Sequence, residues 1–365
     1  MSAAARAASS DVVVAGAGLV GLACALAIAD RGGNVLLLAA PRQGESSPAA
    51  AGMLAPSVEG GGGPVHRFAV AARDRFPGYL DALAERTGVR VPLNREGILV
   101  VALDAADDAA IDEARAAGGE PMDRRRLARD EPALAHARAA VLFAHDGAVD
   151  NRELLRALRA AVGAHPRVRV EEDRVVELAL GGAESGAEVL TAVGARHPAA
   201  RVVLAAGAWV AELRGLPRPL PVEPLRGQML SLAAAPLRRV VYGPRGYLVP
   251  REDGRTLVGA TMERVGFDAS TTDTALDALR RDAEALCPAL AGARRLEAWA
   301  GLRPVTPDFH PIIGPDPDAP ALVYACGHSR NGVLMSPLTG DVVASIVLGE
   351  TPAHDLAPFA VTRFA

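Results

Sequence analysis

The chain has 365 residues, half of them hydrophobic, which is enough to fill more than one core, and two domains are the default at this length. Its net charge is −4, its aromatic share only 4%, and no basic run stands out, so the electrostatic footprint of nucleic-acid binding is absent. All 39 basic residues are arginine, which excludes a P-loop lysine and a Schiff-base lysine.

The first element is Val12–Gly21, VVVAGAGLVG, running into a helix-like ACALAIAD. A β-branched run, a G-x-G-x-x-G turn and a helix opening form the signature of a dinucleotide-binding βα unit. Gly16 allows the tight turn, Gly18 the approach of a pyrophosphate, and Gly21 the close packing of helix on strand, with Leu19 and Val20 opening the helix. The stretch Val12–Ala29 has transmembrane length, but its glycines and β-rich start predict a buried strand and helix, and the leader Met1–Ser10 lacks a charged region and a cleavage site. Cys24, Cys287 and Cys326 are too few and too scattered for a disulfide or metal framework, so reduced thiols in a cytoplasmic protein are expected. A second strand, Asn34–Ala39, follows. The fingerprint wants an acid at its end to hold a ribose, and Ala39 stands there, followed by Ala40. Gln43 or Glu45 would have to reach back to compensate.

Next come SSPAAAGMLAP, Ser46–Pro56, and the glycine run Glu59–Gly63. An amphipathic helix is predicted over His66–Gly88, with Phe68, Val70, Phe76, Leu80 and Leu83 as its apolar positions. Val89–Leu103 reads as two strands joined at Asn94–Gly97, and Asp104–Ala135 as exposed helices. Ala140–Asp150 reads as a strand and turn, Arg152–Val162 as a helix, Arg167–Leu178 as a strand. A polar hairpin over Gly181–Gly186 leads to Ala200–Val210, apolar enough for a buried parallel strand. From Pro219 to Trp299 the pattern is that of antiparallel strands separated by turns, with a helix over Thr274–Leu286 stopped by Pro288. The C-terminal ALVYACGHSRNGVLMSPLTG repeats strand, glycine turn and helix. Nucleotide-binding segments at both ends imply a discontinuous nucleotide domain with a second domain inserted. No metal-ligand spacing is present.

Four blocks of residues resemble the D-amino-acid oxidase superfamily of FAD flavoproteins, and within it the glycine oxidases of thiamine biosynthesis. They are VVVAGAGLVG, SSPAAAGMLAP, WAGLRPVTPDFHPIIG at Trp299–Gly314 and GHSRNGVLMSPLTG at Gly327–Gly340, with support from Val202–Val210 and Tyr247–Met262. The resemblance implies an α/β fold with a discontinuous FAD-binding, Rossmann-like domain of the glutathione-reductase type (1–88, 146–218 and 302–365). Into it is inserted a substrate domain of antiparallel sheet plus helices (89–145 and 219–301).

It also implies non-covalent FAD. Ala51, Gly52 and Met53 would lie beside the flavin, and Ser46 and Ser47 would offer hydroxyls to the pyrophosphate. Val175 would meet the adenine, and Ala206, Gly207 and Trp209 would join the cofactor wall. His328, Arg330, Asn331, Gly332, Val333 and Leu334 would bring a helix N-terminus to the flavin, where reduced flavin carries negative charge. On the substrate side, Arg303 is the implied carboxylate fork, Tyr247 the second donor and Arg330 their companion. The structural alternatives are an inter-domain ion pair for Arg303, β packing for Tyr247, and capping of backbone carbonyls for Arg330. Arg245 would share the face of Tyr247 if both lie in one strand, and would then favour a substrate with extra negative charge; otherwise it is solvated. His328 is read as a packed histidine rather than a base. The implied activity is oxidation of a small amino acid with dioxygen as acceptor, by a soluble protein that could self-associate. The alternatives are a dehydrogenase with another acceptor and a non-catalytic flavoprotein subunit.

Overall fold

A computed structural model describes residues 11–181 and 186–364. The opening apolar stretch is two pieces, the strand Val12–Ala15 and the helix Leu19–Asp30, and among the described residues no helix is long and apolar enough to cross a membrane. Every residue of that strand is buried, as expected for a parallel strand covered on both faces. It lies inside a six-stranded sheet in the order Ile312–Pro315, Leu322–Cys326, Arg201–Leu204, Val12–Ala15, Val35–Leu38, Val168–Glu171. All neighbours are parallel except Ile312–Pro315, which runs against Leu322–Cys326. One face is covered by the helices Leu19–Asp30, Gly63–Thr87, Asn151–Gly163 and Gly332–Val347, whose apolar sides share one core. The other face packs on a small antiparallel sheet, Val175–Leu180, Ala187–Thr191 and Arg196–Ala199.

The helix predicted over His66–Gly88 runs Gly63–Thr87 and ends as its last glycine demands: Gly88 takes φ 70° and donates to the Ala84 carbonyl at 2.8 Å. The helix after Asp150 starts where the Asp150 carboxylate accepts the N–H groups of Arg152 and Glu153.

The second sheet has eight strands, in the order Arg295–Val305, Glu223–Leu232, Thr256–Gly259, Gly246–Pro250, Val240–Gly243, Ile98–Ala102, Ala139–Phe143, Glu120–Met122. Neighbours are antiparallel except Val240–Gly243 and Ile98–Ala102, which pair in parallel with Val240 opposite Ile98. Hairpin signals could not show this pairing, because the two strands come from separate stretches of chain. The helix Asp273–Leu286 covers the sheet with Leu276, Leu279, Ala283 and Leu286.

Three local expectations change. Leu93–Asn94 and Ile98–Ala102 do not form a hairpin; the first pairs with Gly147–Val149, the second with Ala139–Phe143. Ile98–Ala102 is buried throughout, so it needs long strands on both sides. Between the helices Asp108–Ala116 and Arg124–Asp130 lies an edge strand, Glu120–Met122, hidden from sequence by Pro121, which an edge tolerates. Arg167–Leu178 breaks after Glu171, one half entering the six-stranded sheet and the other the small sheet. The tip of the hairpin expected at Gly181–Gly186 lies outside the described residues.

Candidate active site

A cavity of about 680 Å³ runs between the two large sheets. The first glycine turn lines it. Gly16 has φ 114°, and a Cβ there would collide with the Ala205 carbonyl; a Cβ on Gly21 would overlap the Gly16 carbonyl oxygen. The helix that follows has no side-chain cap on Gly18, and its Leu19 N–H donates to the Ser47 hydroxyl oxygen at 3.0 Å. An open helix N-terminus beside bare backbone and a hydroxyl suits a pyrophosphate. Gly16, Gly18 and Val20 line the cavity with Ser46 and Ser47. Leu19 and Gly21 lie behind this wall, buried in packing.

The helix Gly332–Val347 also opens without a side-chain cap or an acid in its first turn. Arg330, Asn331, Gly332 and Val333 line the cavity there, while Leu334 is buried in the core. Ala51, Gly52, Met53, Val175, Ala206, Gly207 and Trp209 also line it. His328 is buried, its Nε2 is 3.1 Å from the Thr339 hydroxyl, and burial pushes its pKa down to about 3. It is a neutral, packed histidine at the cavity wall.

The eight-stranded sheet contributes long side chains laid over glycines. The half-buried Arg303 lies across Gly227, where any Cβ would displace its guanidinium. Its Nη1 donates to the Thr261 carbonyl at 3.1 Å, which fixes the fork and leaves other donors for a ligand. Tyr247 crosses Gly259, whose Cβ would sit 2.6 Å from the ring, and its hydroxyl lies 3.8 Å from the Met229 sulfur. Tyr242 stacks on Tyr247 at 6.1 Å. Burial pushes the Tyr247 phenol pKa up, against the pull of the Arg303 and Arg330 guanidiniums, so all three sit in one electrostatic environment.

Arg245 is placed differently from the face-sharing expectation. The strand begins at Gly246, so Arg245 belongs to the preceding turn, where it pairs with Asp282 at 3.0 Å and stays exposed at the cavity rim. Two residues escaped the sequence reading. Glu59 accepts from Asn331 Nδ2 at 3.0 Å and lies 3.5 Å from Arg330 Nε, tying the glycine run to the second helix opening. The acid just before four glycines was the available signal. Arg251 is buried and donates to the carbonyls of Val149 and Ala51 and to Asn151 Oδ1, pinning the Ala51–Met53 loop. Of the two residues considered as substitutes for the missing acid, Gln43 is exposed outside the cavity lining; Glu45 lines it, with one carboxylate oxygen accepting the Arg42 N–H at 3.0 Å.

Two uncapped helix ends and glycines that no Cβ could replace, all lining one cavity of this volume, fit a bound dinucleotide. Residues 11–346 match the family described as FAD dependent oxidoreductase, and the chain belongs to that family of FAD-dependent enzymes. Within it, the chain is 34% identical over 368 residues to glycine oxidase of Pseudomonas putida, covering 96% of this chain and 98% of the relative. The crystal structure of glycine oxidase from Geobacillus kaustophilus superposes with a TM-score of 0.90 at 31% identity, covering 97% of this chain and 99% of that one. The bifunctional protein ThiO/ThiG of Synechocystis is also 34% identical over 367 residues, but this chain spans only 54% of its length.

Proposed function

We propose that this protein oxidises glycine or another small amino acid, such as sarcosine or a small D-amino acid, to an imine that water hydrolyses to the oxo acid and ammonia (methylamine from sarcosine), passing the two electrons to dioxygen as hydrogen peroxide. The observation that carries the reading is the fork of Arg303, held by one bond to Thr261 beside the Tyr247 hydroxyl, in the same cavity as the two helix openings. FAD, when bound, supplies the two-electron acceptor.

The chain's own residues do the rest. Arg303 receives the substrate carboxylate as a bidentate partner and Tyr247 adds a second donor, so the amine-bearing carbon is turned toward the acceptor. Arg330, already against Glu59, adds positive charge near that carboxylate. The second helix opening, with Asn331, Gly332 and Val333, stabilises negative charge that builds on the cofactor side. Burial holds His328 neutral, which makes it a poor proton acceptor, and the reading uses the amine in its deprotonated form. The six-stranded sheet with its helices is assigned to cofactor binding and the eight-stranded sheet to substrate binding. Arg303 stands at the seam, on the strand Arg295–Val305.

The test is anaerobic addition of glycine, sarcosine and D-alanine to the FAD-loaded protein. Bleaching of the flavin by one of them, with recovery of colour and release of peroxide on admitting air, is expected. A flavin that none of the three bleaches overturns the reading.

A further inference from the structure

Ala39 leaves the end of the strand Val35–Leu38 without the acid that dinucleotide folds use to hold the adenosine ribose. The neighbouring strand Val168–Glu171 runs parallel to it with Leu38 opposite Glu171, and the Ala39 N–H donates to the Glu171 carbonyl at 3.2 Å. Ala39 and Glu172 are the residues that follow this last pair on the two strands, and both line the cavity. Glu172 is exposed to it and, among the described residues, makes no hydrogen bond or ion pair. Its neighbour is engaged elsewhere: the Glu171 carboxylate is held by Arg169 at 3.1 Å and lies 3.6 Å from His197. One Glu45 carboxylate oxygen already accepts the Arg42 N–H.

We infer that Glu172 is the carboxylate that receives the ribose hydroxyls of the adenosine half of FAD, moved one strand over from its ordinary place. An acid just past the end of the adjacent parallel strand reaches the cavity that Ala39 also lines, because parallel strands deliver their following residues to the same end of the sheet. A hydrogen bond to an ionised acceptor is strong enough to decide affinity for a ribose hydroxyl. The assignment does not depend on which amine is oxidised, so a failure to turn over glycine leaves it standing.

The experiment equilibrates the holoenzyme with mixed FAD and its 2′-deoxyadenosine analogue, then measures the ratio of the two in the protein by chromatography. The wild type is expected to prefer FAD by about 10- to 100-fold, and Glu172→Ala to take both about equally. Adding Ala39→Glu to Glu172→Ala should restore the preference, and Glu45→Ala should keep it. A wild type that does not discriminate, or a Glu172→Ala protein that still prefers FAD, overturns the assignment. Loss of preference in Glu45→Ala alone would move the role to Glu45.

Discussion

On the side of the six-stranded sheet, the cavity wall at Gly16 and Gly18 is backbone, brought close because no side chain intervenes, with a helix end aimed along it. On the side of the eight-stranded sheet it is Arg303 and Tyr247, each stretched across a glycine of a neighbouring strand. On the proposed function the first wall recognises by approach, so added atoms ruin it while most exchanges of nearby side chains do not. The second recognises by particular groups at the ends of long side chains. There, deletion of a group is damaging, and so is any change in the glycine floor that carries it.

The contrast predicts a graded set of failures. Gly21→Ala puts a Cβ on the Gly16 carbonyl oxygen, and neither backbone can yield. Purified protein should then have lost its flavin, with affinity down more than about 100-fold on the scale of several kcal/mol of clash. A normal ratio of flavin to protein absorbance would show that the turn is looser than described. Arg303→Ala should keep the flavin and lower kcat/KM for the amino acid about a thousandfold, mostly through KM, as expected for removing one member of a buried charge pair. Steady-state kinetics with unchanged KM would remove Arg303 from carboxylate binding. Gly259→Ala tests the floor: its Cβ would sit 2.6 Å from the Tyr247 ring, and a loss of about tenfold, matching Tyr247→Phe, is expected. If only Tyr247→Phe has an effect, the glycine is not what holds the ring in place.

The smallest effect concerns pH. His328 stays neutral in the fold down to about pH 3, against an ordinary value of 6.5. Below 6.5 the unfolded chain takes up this proton and the fold does not. Its contribution to stability is therefore complete above pH 6.5 and is lost as the pH falls toward 3. His328→Asn should flatten the acid arm of the melting-temperature curve in that window. An unaltered acid arm would mean that the ring gains a proton in place.

Legibility in the sequence followed the same division. Gly16, Gly18 and Gly21, and the helix openings they precede, were readable because a turn, a strand and a helix period are local signals. Arg303 and Tyr247 were reached through resemblance, although Gly227 and Gly259, isolated glycines in strand patterns, signal close approach by another group. The parallel pairing of Val240 with Ile98, the contact of Glu59 with Arg330 and the arrival of Ala39 and Glu172 at the same end of the sheet depend on strand register or chain crossings over long separations. No window of sequence contains those relations.

The helices Leu19–Asp30 and Gly332–Val347 press together closely enough that a Cβ on Gly340 would come within 2.7 Å of the Ala23 carbonyl oxygen. The two helix N-termini that line the cavity are thus mounted on a single helix pair whose halves lie far apart in the chain. A nascent chain still short of Val347 has a glycine turn but no partner for its helix, and contacts of such sequence separation form late and slowly. Until Gly332–Val347 has been made, the apolar flank of Leu19–Asp30 therefore lacks the helix that covers it in the fold.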